Sequence, residues 1–91
     1  MTYKLDFVAR AKNDIATLKR SEPLAYKKCL ELLAELQEHP ETGTGHPKPL
    51  GDDRVGQWSR RITQKHRLTY RIRKDEMVIS VYAARGHYDD K

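Results

Sequence analysis

The chain has 91 residues, 37% hydrophobic and 34% charged, a balance that suits one small soluble domain with a thin core. Its single cysteine, Cys29, excludes an internal disulfide, and its longest nearly apolar run, Met77 to Ala84, is too short to cross a bilayer. The net charge of +5 is uneven: residues 1–46 hold seven basic and seven acidic groups, residues 47–91 eleven basic and six acidic.

Tyr3-Lys4-Leu5-Asp6-Phe7 alternates apolar and polar, the period of a half-buried strand. Val8, Ala11, Ile15 and Leu18 then recur at helical spacing. Ser21-Glu22-Pro23 reads as the start of a second helix, with Ser21 as cap and Pro23 in the first turn. Ala25, Cys29, Leu32 and Leu36 form its apolar stripe, with Leu33 beside it, and Pro40 ends it. In that stripe Cys29 reads as a small buried hydrophobe, not a nucleophile. Residues 40–56 carry Pro40, Gly43, Gly45, Pro47, Pro49, Gly51 and Gly56, a loop that its prolines restrict.

Three strand patterns follow. The first runs near Gln57 to Thr63. The second sets Leu68, Tyr70 and Ile72 on one face and Arg67, Thr69, Arg71 and Arg73 on the other. The third is Met77 to Ala84, and Lys74-Asp75 marks a tight turn that pairs the last two as a hairpin. Leu68, Tyr70 and Ile72 are expected against the helices, leaving the arginines on an exposed cationic surface. The order strand–helix–helix–strands predicts an α+β fold, with residues 1–91 as a single domain and two helices on one face of a mainly antiparallel sheet.

Between Arg54 and Arg73 stand seven basic residues and no acidic one, a field that attracts polyanions such as nucleic acid. The four histidines, His39, His46, His66 and His87, lack metal-ligand spacing, and there is no glycine-rich phosphate loop or dinucleotide fingerprint. No metal and no cofactor are therefore expected. Lys4, Asp6, Arg10 and Lys12 make the first dozen residues unlike a secretory leader, and with the lone thiol this predicts a cytoplasmic protein.

A hairpin brings the end of the third late strand beside the start of the second, so Arg67 is expected to face the His87-Tyr88 tail. RNA cleavage asks for little more. A base takes the ribose 2′-hydroxyl proton, a cation stabilises the pentavalent phosphate, and an acid protonates the 5′-leaving oxygen. Arginine matches phosphate oxygens with a planar fork, histidine serves as acid or base, and tyrosine stacks on a base or orients a phosphate.

Four ordered motifs carry a family resemblance: Gly45-His46-Pro47-Lys48-Pro49-Leu50, Gly56-Gln57-Trp58-Ser59-Arg60-Arg61-Ile62, His66-Arg67-Leu68-Thr69-Tyr70 and Arg85-Gly86-His87-Tyr88. They resemble the motifs of YoeB-type toxins of the RelE superfamily, strongly over residues 43–88 and in layout alone before that. The resemblance implies a RelE-like fold of the microbial-ribonuclease type. It implies an enzyme that cuts messenger RNA in the ribosomal A site through the message's own 2′-hydroxyl. It also implies a cognate antitoxin, operator DNA bound only through the toxin–antitoxin complex, and a homodimer. No membrane partner is expected. The family's site positions fall on Lys48, Arg67, His87 and Tyr88, and Arg61, Lys65, Arg71 and Arg85 are the expected RNA contacts around them.

Lys48 departs from the pattern, which has glutamate there. Three readings stand: Lys48 stabilises phosphate charge while His87 is the base; Lys48 is itself the base, made less basic by neighbouring cations; or catalysis is weak and His46 or Asp52 substitutes. The first needs no unusual proton affinity and is preferred. The departure also motivates a rival, an inactive homologue that keeps antitoxin binding and repression. Trp58 reads as core or dimer packing, or as an RNA-stacking platform if it shares the arginine face. Arg60 and Arg61 must point to opposite sides of their strand, so at most one serves the catalytic face, with the other left for antitoxin or ribosomal RNA.

Overall fold

A computed structural model of the chain describes residues 2–51 and 56–86. Strand β1 (Lys4–Phe7) leads into helices α1 (Ala9–Ser21) and α2 (Pro23–Glu38). Strands β2 (Lys48–Pro49), β3 (Gln57–Arg61), β4 (Arg67–Arg73) and β5 (Val78–Ala83) follow. They form a five-stranded sheet in the order β1-β5-β4-β3-β2, in which β1 runs parallel to β5 and the other neighbours are antiparallel. Among the described residues no helix is long and apolar enough to cross a membrane.

The predicted helical stripes are the buried ones. Ala11 and Leu18 of α1 and Ala25, Cys29, Leu32, Leu33 and Leu36 of α2 pack against Leu68, Tyr70, Ile79 and Val81 from the sheet and Ile62 just beyond β3. Each fully buried leucine, isoleucine or valine is worth about 1.5–3 kcal/mol, so this single face holds most of the driving force. Burial pushes the Cys29 thiol up to about 11, which suits packing and not nucleophilic chemistry.

Local punctuation differs from expectation in several places. Ser21 is the last residue of α1, and Glu22, not Ser21, occupies the cap position of α2, with Pro23 at the first helical position. The Glu22 side chain does not cap the helix, because it is spent on His66. Val8 precedes α1 and is exposed, its N–H donating to the Val81 carbonyl at 3.1 Å. The loop is not wholly irregular: Lys48 and Pro49 pair with Ser59 and Trp58 as a short edge strand, where a proline without an N–H is tolerated. Strand β3 stops at Arg61, before Thr63, and the β4–β5 turn takes in residues 74–77, with Met77 at φ 56.

Register decides which side chains share a face. Gln57, Ser59 and Arg61 stand opposite Arg71, Thr69 and Arg67, Lys48 stands opposite Ser59, and Ser80 opposite Arg71. These residues alternate with the core positions, so they line the face away from the helices. That face is less exposed than expected: Thr69 and Ser80 are buried, and Arg67, Arg71 and Arg73 half-buried. A register irregularity between Thr69 and Tyr70, opposite Val81 and Ala83, marks a bulge in β5 close to this face.

Candidate functional site

Arg67 opens β4, and its backbone N–H donates to the Gly86 carbonyl at 2.9 Å. The expected meeting of this arginine with the end of β5 is therefore present up to Gly86. His87 and Tyr88, the two expected catalytic residues of the tail, lie outside the described residues, as does Asp52.

The Arg67 guanidinium also organises the β3–β4 turn. Its Nη1 donates to the carbonyls of Thr63 at 2.7 Å, Gln64 at 3.2 Å and His66 at 3.2 Å. Thr63 Oγ1 accepts the backbone N–H groups of Lys65 and His66, each at 3.1 Å, and closes the turn from inside. No hydrogen bond of the remaining donors of the fork, Nε and Nη2, is found among the described residues. Lys65 is exposed on the same turn, and Arg85 is exposed beside Gly86. Arg61 is exposed directly across the ladder from Arg67.

Lys48 joins them from the sheet edge. It shares the open face with Arg61 and Arg67, and its strand lies two strand spacings, about 10 Å, from β4. Arg71 is on that face too but near the other end of β4, where it lines a depression of about 530 Å³ with Trp58, Glu41, Asp75 and Glu76. That depression mixes both signs of charge. The corner at Arg67 and Gly86 offers cations from β3, β4 and the turn, and it is where phosphate chemistry fits.

Arg60 corrects one expectation outright. It points into the protein and is fully buried, so it offers no surface for the antitoxin or RNA contact expected of it. All five of its donors are spent: Nε on Tyr70 Oη at 3.2 Å, Nη1 on Glu35 and the Thr44 carbonyl, Nη2 on the His39 and Thr42 carbonyls. Tyr70 Oη in turn donates to the Pro40 carbonyl at 2.9 Å. An isolated buried cation would be very costly, and this full set of acceptors is what makes it tolerable. Burial pushes the Glu35 carboxyl up, but hydrogen bonds from Thr44 and Arg60 outweigh it and hold the group below its usual range. The consequence for the site is positional. Arg60 ties residues 39–44 to the sheet, the Gly45 carbonyl accepts from Arg61 N–H at 2.6 Å, and the chain is thereby aimed at Lys48.

Trp58 lies on the Arg60 side of β3 and packs, half-buried, against the core, so the packing reading holds and the arginine-face stacking reading does not. His46 is exposed at φ 52, two residues before Lys48. Among the described residues, no group of three or more His, Cys, Asp and Glu side chains could hold a metal ion.

The profile of YoeB-like toxins of bacterial type II toxin–antitoxin systems matches residues 7–88. The chain belongs to this family. Toxin YoeB of Streptomyces coelicolor is 35% identical over 85 residues, spanning 93% of this chain and 99% of its own. A YoeB/ParE toxin from Agrobacterium tumefaciens superposes with a TM-score of 0.88 at 33% identity, over 93% of this chain and 99% of that one. YoeB of Staphylococcus aureus, 28% identical and matched over 94% of this chain and 98% of its own, is known as a dimer and in a heterotetrameric YoeB–YefM toxin–antitoxin complex, with TM-scores of 0.84 and 0.82.

The roles of three side chains of this YoeB-like toxin escaped sequence reasoning. His66 is legible in the sequence as an unpaired histidine that opens the His66-Arg67-Leu68-Thr69-Tyr70 motif, and Glu22 as part of a helix start, with nothing to link the two. The structure joins them: His66 is buried, with Nε2 2.9 Å from Glu22 Oε2 and Nδ1 2.9 Å from Gly86 N. They are 44 residues apart, and no local period signals such a pair. Asp14 was likewise missed. It is buried in α1 and accepts the Ala84 N–H at 3.0 Å, fixing the end of β5 that leads to Gly86.

Proposed function

We propose that this toxin is an endoribonuclease that cleaves messenger RNA in the ribosomal A site by attack of the message's own 2′-hydroxyl. The observation that carries the reading is the Arg67–Gly86 backbone hydrogen bond, which sets the start of β4, where Arg67 stands, beside the residue before His87. In this scheme Arg67 and Lys48 stabilise the charge that builds on the pentavalent phosphate. His87 takes the 2′-hydroxyl proton, and Tyr88 stacks on a base or orients the phosphate. Arg61, Lys65 and Arg85 hold the strand by its phosphates, and Arg71 extends that track along β4. Because the site offers cations more readily than a complete acid–base set, the ribosome supplies much of the positioning. Such pre-orientation can be worth several kcal/mol of barrier, on the order of 7 or more in favourable cases.

A cognate antitoxin is the proposed regulator, by likeness to the S. aureus toxin and its YefM partner, and a homodimer is proposed on the same likeness. An acidic, partly disordered antitoxin segment laid over the Arg61–Arg67 face would gain charge-assisted hydrogen bonds as it folds. Operator DNA is then bound through the toxin–antitoxin complex, and the toxin acts in the cytoplasm, where ribosomes are. A second reading, an inactive antitoxin-binding repressor, has one observation in its favour: Lys48 stands where the family pattern has glutamate.

Primer extension on messages from cells induced for the toxin, and on purified translating ribosomes, decides between the two. Growth arrest with cuts confined to A-site codons, relieved by an adjacently encoded antitoxin, is the expected result. Operon repression with intact messages would establish the second reading instead, and equal cutting of naked and translating message would remove the ribosome from the mechanism.

A further inference from the structure

Gly86 is held through both of its backbone polar groups. Its N–H donates to His66 Nδ1 at 2.9 Å, and its carbonyl accepts from Arg67 N–H at 2.9 Å. Its φ is +76, and a Cβ there would meet nothing within 4 Å, so glycine serves the backbone conformation and not a shortage of space. A nitrogen that accepts from an N–H carries no proton of its own. The His66 ring is thereby assigned as the Nε2–H tautomer, and that hydrogen is donated to Glu22 Oε2 at 2.9 Å. Glu22 answers in kind: the hydrogen bond from His66 is the main influence holding its carboxyl below the usual range. Glu22, His66 and Gly86 thus form a directed chain from the head of α2 to the point where the protein continues into His87 and Tyr88.

We propose that His66 is a positioning residue for the reaction: oriented by Glu22, it clamps the Gly86 amide and so fixes, beside Arg67, the backbone from which the chain continues to His87. The effect on rate rests on the ribonuclease reading, whereas the clamp does not. A simple staple between helix and sheet would need only that His66 fill its space and hold Glu22. A clamp needs the acceptor at Nδ1.

Two substitutions separate these roles. In His66→Asn the side-chain oxygen takes the place of Nδ1, keeping the Gly86 bond and giving up Glu22. In His66→Gln the amide nitrogen takes the place of Nε2, keeping Glu22 and giving up Gly86. Gly86 amide exchange is expected within about threefold of wild type in His66→Asn and at least about tenfold faster in His66→Gln. Single-turnover cleavage of ribosome-bound message should follow the same order. The rate constant should fall about tenfold in His66→Gln with half-saturation unchanged, and His66→Asn should stay near wild type. Equal losses of rate and Tm in both variants would reduce His66 to a staple and overturn the proposal. So would unchanged Gly86 exchange in His66→Gln. Nitrogen NMR of the wild-type ring needs no variant to fold, and a ring protonated at Nδ1 and not Nε2 would also overturn it. A wild-type toxin that cleaves nothing refutes the ribonuclease reading alone, and exchange and tautomer still decide the clamp.

Discussion

Arg61 and Arg67 are direct cross-strand partners, two like charges facing each other on the open side of the β3–β4 ladder. Such a pair opposes folding by roughly 0.2–1 kcal/mol, a cost that the proposed binding of an RNA phosphate between the two would offset. Arg61→Thr should therefore raise Tm by about 2–4 °C while weakening binding of single-stranded RNA. Loss of one phosphate contact should also reduce the salt dependence of that binding by about 0.7 in logarithmic slope. A substitution that leaves both the slope and the affinity unchanged would remove Arg61 from the RNA face.

The proposed catalytic role of Arg67 and its hold on the β3–β4 turn should be separable by substitution. Arg67→Ala should slow cleavage about 10²–10³-fold through loss of transition-state charge contact. It should also cost about 1 kcal/mol of stability, because Nη1 no longer binds the turn carbonyls of Thr63 and Gln64. Arg67→Lys keeps the charge but not the fork, and should sit between wild type and alanine in rate. Denaturant unfolding beside single-turnover kinetics gives both quantities. Near-wild-type cleavage by Arg67→Ala would dismiss it as a catalytic residue.

Arg60→Met should be among the most damaging single changes in the chain. Removing the buried fork strands Glu35 and three loop carbonyls, a loss of about 3–5 kcal/mol by analogy with broken buried pairs. Arg60→Lys should fail almost as badly, since three donors cannot replace five. The comparison is with Arg61→Met, expected to unfold within about 0.5 kcal/mol of wild type. Similar unfolding midpoints for the two methionine variants would contradict the burial of Arg60.

Stability should fall in acid through Glu35 and Glu22. Both carboxyls are held below the usual glutamate range in the folded protein, Glu22 by its hydrogen bond from His66 and Glu35 by those from Thr44 and Arg60. The unfolded chain therefore binds protons first as pH falls. Their contribution is present above about pH 5 and is lost progressively below it as the folded groups protonate. Tm measured from pH 7 to pH 3 should drop, and Glu35→Gln should drop less steeply from a lower starting point. Parallel curves would mean that the Arg60–Glu35 pair contributes nothing to the pH dependence.

Lys48 tests the departure from the family pattern. If it acts as a fixed cation, Lys48→Arg keeps most of the activity and Lys48→Ala loses it. With His87 as base the rate should rise through about pH 6–7, whereas a lysine base would shift that rise to higher pH. Arginine that abolishes cleavage at unchanged RNA binding and Tm would make Lys48 the base, because guanidinium holds its proton near neutrality. Lys48→Glu restores the family residue, and equal rates across wild type and all three variants would leave the residue a bystander.

What the sequence by itself determined was periodic. Ala25, Cys29, Leu32 and Leu36 recur with the helical turn, and Leu68, Tyr70 and Ile72 alternate with Arg67, Thr69 and Arg71. These patterns assign a face to each residue, because side-chain direction repeats with the local backbone. The ordered motifs from Gly45 to Tyr88 placed Lys48, Arg67, His87 and Tyr88 in a candidate site on resemblance. Only the tertiary structure decided what each face would meet. Arg60 and Arg61 are neighbours of the same type, yet one is fully buried because Glu35, Tyr70 and the carbonyls of a distant loop close around its donors. His66 gains its partners from Glu22, 44 positions earlier, and Gly86, 20 positions later. The pairing of β1 with β5 and of Lys48 with Ser59 is of the same kind. A buried polar group must find its hydrogen bonds wherever the folded chain brings them, and that closure is a property of three-dimensional packing that no local period encodes.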